Sequence, residues 1–290
     1  MANNNNNLPI RTYQKQFAQL LSTVYGVQGV FAPTFGALQT LDGIQNNDVA
    51  FSLKTNDVPV VVGEYSTDKD VAFGKGTANS SRFGEMVEVI YGDSNVPYDF
   101  TWAVHEGIDR FTVNNDLNAA VADRLNLQAQ AKTRLFNNKQ GAYLADNATD
   151  IGLDATDVNA LFEAAVEKYT DLEVVVPIRA YVTAAVYNAI IDAPVATTGK
   201  GSGVDVDANG MVRFRGIALT KVPSQYMGDQ AVIFAPDNIG RAFTGIATAR
   251  TIESTDFDGV ELQGAGKAGQ WVADDNKAAI FKAAAKKTEA

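Results

Sequence analysis

The 290-residue sequence predicts an α+β fold, and three observations carry that expectation. From Asn115 to about Ala145 the chain shows its longest helical stretch, with no proline inside it. Between Asp48 and Thr112 apolar and polar residues alternate at the period of a strand. In the middle third an amphipathic helix is followed by short apolar runs that suit a sheet.

The first segment, Asn3 to about Gly43, places Tyr13, Phe17, Leu20, Leu21 and Val24 at i, i+4, i+7, i+8 and i+11, one face of a helix. After Gly26 the pattern dissolves into Gly29, Pro33 and Gly36 with isolated Phe31 and Phe35. The segment reads as a short amphipathic helix on an extended arm, and a frayed terminus fits the composition equally well. Val49, Phe51 and Leu53 then alternate with polar residues, Val58 to Val62 is a β-branched run, and Met86 to Ile90 alternates again. Between them Tyr65 to Gly84 is polar and glycine-rich, so the simplest arrangement is a long hairpin with a flexible tip. A two-stranded ribbon buries too little apolar surface to be stable by itself and needs the rest of the domain or another subunit.

The long helix is expected to start at Asn114 or Asn115 as N-cap, with Asp116 in its first turn. Leu117, Val121 and Leu125 form one ridge and Leu127, Ala131 and Leu135 a neighbouring one. At ~1.5 Å per residue, some thirty residues span about 45 Å, longer than a compact domain usually needs. Asp154 or Thr156 opens a second helix in which Val158, Leu161, Phe162, Ala165, Val166 and Tyr169 match the amphipathic template and predict packing on a sheet. Strands are expected at Glu173 to Ile178, Val212 to Leu219 and Ala231 to Ala235, with a helix from about Ala180 to Ile191. A glycine-rich loop, Thr197 to Gly210, precedes the second of these strands. Further strands are expected at Ala249 to Glu253 and Val260 to Gln263, followed by the glycines Gly264 to Gly269, Trp271, Val272 and a lysine-bearing tail of either strand or helix ending in Lys286 and Lys287.

The composition, 46% hydrophobic and 9% aromatic, is that of a globular protein of one large or two modest domains. No stretch approaches the ~20 apolar residues of a membrane helix, so no membrane association is expected. The asparagine-rich start has neither a basic nor an apolar region of a secretory signal, and the protein is expected to stay in the cytoplasm where it is made. Cysteine is absent, which removes disulfides, thiolate nucleophiles and cysteine metal sites. Lys and Arg total 24 against 34 Asp and Glu, and the formal charge of -10 argues against a basic face that grips nucleic acid.

Chemistry-bearing motifs are sparse. The single histidine, His105, precedes Glu106 and lies one helical turn from Asp109, a spacing that could hold a metal or form an acid–base pair. A metalloprotease helix needs a second histidine, and a serine triad needs a G-x-S-x-G elbow that the sequence lacks, so a structural role is the expectation. Gly264 to Gly269 matches G-x-G-x-x-G, yet only about twenty residues follow, too few for a dinucleotide-binding unit. Gly74-Lys75-Gly76-Thr77 and Gly199-Lys200-Gly201-Ser202 lack the remaining phosphate-loop residues and read as loop tips. Asp154 with Asp157, and Asp256 with Asp258, fall where caps and turns place carboxylates. No catalytic, cofactor-binding or metal-ligating residue is expected, and no cofactor.

The order of parts resembles a known family. His105 to Thr112 leading through Asn114-Asn115-Asp116 into the long helix, Gly210 to Ile217, Phe234-Ala235-Pro236-Asp237-Asn238, and Gly259-Val260-Glu261-Leu262 with the glycines after it carry the resemblance. Together they are similar to the Hong Kong 97-type capsid fold of tailed-phage coat proteins, and in wording to coat proteins of phages infecting Gram-positive bacteria. The resemblance implies residues 1–44 as an N-terminal arm and 45–105 as an extended loop with flanking strands. It implies 106–150 as a peripheral domain with a spine helix, 151–249 as an axial domain, and 250–290 as the return through the peripheral domain with the tail.

It further implies a structural, non-enzymatic major capsid protein that forms hexamers and pentamers of an icosahedral head. The head would enclose double-stranded DNA without sequence-specific binding, in a virion assembled in the host cytoplasm. Scaffold, portal and decoration proteins are the implied partners. Because the sequence begins at the arm, a separate scaffold is expected in place of an N-terminal scaffolding extension. A wall of net acidic charge suits a container that does not adhere to the polymer it stores. Lys54, Lys69 and Lys75 fall in the hairpin, where one relative cross-links its subunits, and such links are not expected here. The alternatives are an encapsulin-type compartment, an acidic cytoplasmic α/β enzyme or sugar-binding protein, and another virion component.

Overall fold

The longest element, a 31-residue helix over Leu117–Asn147, organises the fold in the computed structural model, which describes residues 28–41, 49–56, 58–67, 82–83, 86–113, 116–192, 204–206 and 212–285. The expected helix over Tyr13 to Val24, the loop tips at 74–77 and 199–202, Lys69, Lys75, Lys286 and Lys287 lie outside the described residues. The chain divides into two compact units, Gly43–Tyr98 and the combination of Met1–Asp42 with Asp99–Ala290.

The smaller unit contains β2 (Val49–Thr55) and β3 (Gly92–Pro97), antiparallel from Val49 opposite Pro97 to Thr55 opposite Gly92. Only Ala50 and Val96 of this pair are buried. The expected strands at Val58 to Val62 and Met86 to Ile90 form no ladder. Their apolar side chains point to solvent, Val60 and Val62 at 91% and Met86 at 92% exposure, so no buried face sets a register. The two limbs meet again where the Ser66 amide donates to the Arg82 carbonyl at 2.9 Å and the Tyr65 and Phe83 rings meet edge to face at 5.1 Å.

In the larger unit one sheet has the order β1 (Gln39–Thr40), β11 (Gly240–Glu253), β12 (Gly259–Val272), β4 (Phe100–Asp109). β11 and β12 form a hairpin of fourteen-residue arms, and β4 pairs with β12 from Phe100 opposite Ala268 to Asp109 opposite Gly259. The expected strands at Ala249 to Glu253 and Val260 to Gln263 are therefore the distal parts of longer ones, and Gly264 to Gly269 continue β12 instead of interrupting it. The expected divisions at 105/106 and 249/250 fall inside β4 and β11, whose pairing with β12 runs through them.

The second sheet has the order β5 (Thr149–Asp150), β13 (Phe281–Ala284), β10 (Gln230–Pro236), β6 (Ile178–Val182), β9 (Ile217–Lys221), β8 (Val212–Phe214), β7 (Val204–Val206). β6 was expected four or five residues earlier. Instead the chain turns at Glu173 (φ 54°), leaves Val175 96% exposed, and begins the strand after Pro177. The helix after it, α4 (Ala184–Ile191), consequently starts later than Ala180, because Ala180 to Val182 are buried within the sheet. The single strand expected over Val212 to Leu219 is a hairpin, β8 and β9, joined by Arg215 and Gly216 at φ 51° and 82°, both values of a type I′ turn.

Central strands of this sheet are covered on both faces, so successive residues enter different cores. Ala180, Val182, Val232 and Phe234 join one core with α3 (Val158–Asp171), whose Leu161, Phe162, Ala165 and Tyr169 are buried as the spacing predicts. Phe162 makes edge contacts with Phe214 and Phe234 at 5.0 Å each. Burial of such side chains stabilises by roughly 1.5–3 kcal/mol apiece. The cap of α3 is Asp157, which accepts from the amides of Asn159 and Ala160, while Asp154 accepts from Thr156 in the preceding turn. Tyr181, Ile233 and Ala235 face the other core with Leu144, with Phe35 of α1 (Ala32–Phe35) and with Phe31, the residue that precedes that helix. There Thr34 Oγ1 and the Tyr181 hydroxyl lie 2.7 Å apart, both buried. A short helix, α5 (Asp274–Lys277), and β13 resolve the described part of the tail.

The long helix, α2 (Leu117–Asn147), is capped by Asp116, whose carboxylate accepts from the Ala119 amide at 3.4 Å. The expected apolar ridges are not its buried face: Leu125 is exposed, and the buried residues are Ala120, Gln128, Asn137, Gln140, Gly141 and Leu144. Gly141 is required because a Cβ there would lie 1.9 Å from the Tyr226 carbonyl oxygen in the adjoining 3₁₀ turn (Ser224–Tyr226).

Candidate functional site

Strand β4 separates the residues that the sequence placed together. Alternation along it turns Phe100, Trp102, Val104 and Glu106 towards α2, and Thr101, Ala103, His105 and Gly107 towards solvent. His105 and Glu106 therefore face opposite sides, and the helical-turn spacing of His105 with Asp109 does not arise in a strand. The Asp109 carboxylate accepts instead from the Phe111 amide at 2.7 Å, a local turn. Among the described residues no group of three His, Cys, Asp or Glu side chains is arranged to hold a metal ion, and no helix is long and apolar enough to cross a membrane.

On the solvent face His105 Nε2 lies 2.9 Å from Glu261 Oε2 and 3.2 Å from Gln263 Nε2, and Ser254 Oγ donates to Glu261 Oε1 at 2.8 Å. These hydrogen bonds, that of His105 first, hold the Glu261 carboxyl below its ordinary range. The cluster is a cross-strand polar ladder spanning β4 and β12. Its one hydroxyl, that of Ser254, donates to Glu261 and not to His105, and the cavity beside His105 is open to solvent.

On the inner face Arg124 donates through Nε and Nη2 to the two oxygens of Glu106 at 2.7 and 2.6 Å, and Gln128 adds a third bond at 2.7 Å. The Arg124 hydrogen bond is the main cause that lowers the Glu106 carboxyl, against the opposing effect of desolvation. Further along, the Lys132 ammonium lies 4.7 Å from the Trp102 ring centre and Phe136 meets Phe100 edge to face at 5.5 Å. The helix is held to β4 by charged and aromatic contacts, which explains why apolar periodicity failed to locate its buried face.

The G-x-G-x-x-G motif has a packing explanation. A Cβ at Gly266 would lie 2.7 Å from Trp102 Cζ2, and one at Gly269 would lie 2.7 Å from Phe243 Cε2. The glycines make room for rings of neighbouring strands, a use of glycine at close approach and not a phosphate cradle. Asp258 pairs with Arg110 at 3.2 Å, and Lys54 with Asp93 at 2.7 Å on the open ribbon. The second pair is two-thirds exposed at both ends and contributes little to stability.

Unpartnered apolar surface is the remaining functional signal. Val60, Val61, Val62, Met86 and Ile90 of the smaller unit are exposed, as are Leu38, Phe111 and Val175 of the larger one. In the larger unit a cavity of about 510 Å³ opens between α2, β4, β11 and residues 29–38, lined chiefly by apolar atoms of Leu38, Trp102, Ala129, Phe136 and Ala242. The sequence offered a trace of the first surface in the β-branched run Val58 to Val62. It offered none of the second, which is assembled from segments up to some two hundred residues apart.

No protein-family model matches the sequence, and no curated protein is significantly similar to it. The structure is similar to a chain of the bacteriophage PhiM1 mature capsid, at 8% identity and TM-score 0.64, with 92% of this chain and 90% of that chain covered. It is similar to a chain of Microbacterium phage Oxtober96 at 13% identity and TM-score 0.63, covering 92% and 95%. A chain from the capsid structure of cyanophage P-SCSP1u matches at 12% identity and TM-score 0.62, covering 96% and 94%. At these identities the likeness establishes a shared fold, a mixed α and β architecture of several sheets and few helices found in phage capsid structures.

Proposed function

We propose that this chain is the major capsid protein of a tailed phage, a structural subunit without catalytic activity that self-assembles into the icosahedral head enclosing double-stranded DNA. The observation that carries the reading is the apolar run Val60 to Val62 of the ribbon, with Met86 and Ile90, whose side chains are exposed within its own unit. A solvated ribbon of this kind becomes stable when it lies across another copy, adding strands or apolar contacts at each repeat of a closed symmetry. The likeness over nine-tenths of the chain to capsid subunits supports the same conclusion.

On this reading the architecture is Hong Kong 97-like. Residues 1–44 act as the arm, 45–105 as the extended loop with its flanking strands, 106–150 with 250–290 as the peripheral domain around α2, and 151–249 as the axial domain. Hexamers and pentamers build the shell, which is assembled in the host cytoplasm with scaffold and portal proteins and ends in the virion. The compartment enclosing enzymes in place of a genome is the less favoured reading.

Electron microscopy of the chain expressed with its neighbouring genes tests the proposal. Closed icosahedral particles are the expected result. A chain that remains monomeric at every concentration, or particles loaded with enzyme and never with DNA during infection, would overturn it.

A further inference from the structure

We propose that the two limbs of the ribbon close into one continuous ladder, with Val60 opposite Glu88, Val61 opposite Val87 and Val62 opposite Met86, when a second copy of this chain covers them. The inference rests on the shell reading and adds to it a register, and a closed state of the ribbon that the lone subunit does not hold.

The limbs are paired at both ends and open between. At the near end Thr55 stands opposite Gly92. At the far end the Ser66 amide donates to the Arg82 carbonyl at 2.9 Å, and Arg82 Nη1 donates back to the Ser66 carbonyl at 3.1 Å. The rings of Tyr65 and Phe83, the next pair in that register, meet at 5.1 Å. Among the described residues no backbone bond joins Val58–Val62 to Met86–Ile90. The limb from Thr55 to Ser66 is eleven steps long and the limb from Arg82 to Gly92 ten, so the two registers differ by one residue. A single extra residue on one strand is what a β-bulge absorbs. Asn56 marks its place, because its Oδ1 accepts from the Val58 amide at 2.8 Å in a local turn just past the near ladder. Beyond that turn the far-end register carries through without a further shift.

Proline placement fits this register. The Ser66–Arg82 bond marks a hydrogen-bonded pair, so Val62 with Met86 and Val60 with Glu88 are hydrogen-bonded pairs too, while Pro59 falls where the backbone nitrogen faces away from the partner limb. A residue without an N–H is tolerated at such a position. What the lone ribbon lacks is a covered face. Val60 and Val62 at 91% and Met86 at 92% exposure stand side by side on one face in this register. Two strands with an uncovered apolar face are marginal in water, and burial of a face is what fixes a register. In a shell of identical subunits the surface that arrives at every ribbon belongs to another copy of this chain.

The chain has no cysteine of its own, so an added pair reports the register. Val61→Cys with Val87→Cys would stand opposite each other at a non-hydrogen-bonded pair, where Cα atoms are about 4.5 Å apart. Val61→Cys with Val89→Cys would lie on the diagonal, about 7–8 Å apart, beyond the span of an unstrained disulfide. Both full-length variants are assembled under reducing conditions and oxidised as particles. Expected is an intrachain disulfide at roughly tenfold higher yield for the opposed pair, against yields within about twofold in dilute free subunits. Equal yields in particles overturn the register, and the same tenfold excess in free subunits overturns the need for a second copy. Hydrogen exchange of the unsubstituted chain supplies a measurement that no substitution can disturb. The amides of Val60, Val62, Met86 and Glu88 should exchange at least about tenfold more slowly in particles than in free subunits, and unchanged exchange counts against closure. An unsubstituted chain that forms no particles overturns the shell reading and this inference together, whereas particles whose limbs stay open overturn this inference alone.

Discussion

Replacing Gly141 by alanine measures how closely α2 approaches the rest of the larger unit. In a solvent-exposed helix interior the substitution stabilises by about 1 kcal/mol, because glycine loses more backbone entropy on folding. Here the new Cβ would be 1.9 Å from the Tyr226 carbonyl oxygen and 3.1 Å from Phe31 Cζ, where ordinary contact begins at 3.4 Å. About 1.5 Å must open against backbone, which cannot rotate away as a side-chain tip can. Overpacking of this sort costs roughly 3 kcal/mol, the upper part of its usual range. Set against the ~1 kcal/mol gain in propensity, the net loss is about 2 kcal/mol. Urea denaturation of the free subunit should show a lower midpoint at unchanged slope. Asn138→Ala, on the exposed side of the same helix, should instead raise the midpoint by a few tenths of a kcal/mol. A Gly141→Ala protein as stable as its parent would refute the close approach of α2 to the 3₁₀ turn, and with it the placement of the second core.

Glu106→Gln should cost under about 1 kcal/mol at neutral pH, since its pairing with Arg124 is screened by solvent. The Arg124 hydrogen bond lowers the folded carboxyl, so the unfolded chain takes up its proton at higher pH. The pair's contribution is complete above the ordinary carboxylate value of about 4.3, is lost as the pH falls through the lowered folded value, and this acid-side slope should be absent from pH-dependent melting of the variant. Arg179 donates to both oxygens of Asp237 at 2.9 and 3.0 Å and to Thr220 at 3.1 Å, so Asp237→Ala strands a largely buried guanidinium. Chemical denaturation should show a loss of roughly 3 kcal/mol, much of it recovered by adding Arg179→Met. Gly266→Val should drive the Trp102 ring from its seat, with a loss of about 2 kcal/mol and a shift in tryptophan fluorescence; an unchanged spectrum would contradict the ring-over-glycine contact. Val60→Asp with Val62→Asp, at positions 91% exposed in the subunit, should leave its melting within about 0.5 kcal/mol of the parent yet abolish particles in electron micrographs.

What local sequence determined was each element that buries its own periodic face inside the same unit. The buried face of α3 was legible because Leu161, Phe162, Ala165 and Tyr169 all enter one core, though its cap is Asp157 and not Asp154 or Thr156. Strand β10 was legible because Ala231 to Ala235 are apolar on both sides. The existence and length of α2, the absence of a second histidine or a nucleophile elbow, and the candidate ribbon from Val49 onwards were also readable without coordinates.

Tertiary structure alone decided the rest. Which side of α2 is buried depends on Glu106, Trp102 and Phe100, charged and aromatic partners that leave no apolar stripe on the helix. The turn within Val212 to Lys221 depends on Arg215 adopting φ 51°, which its side chain does not announce. The glycines of β12 looked like a break because the rings that fill the space above them come from Trp102 and Phe243, on other strands. Periodicity records how a segment meets the core next to it, whereas a contact between distant segments is specified jointly by both, and neither carries it alone.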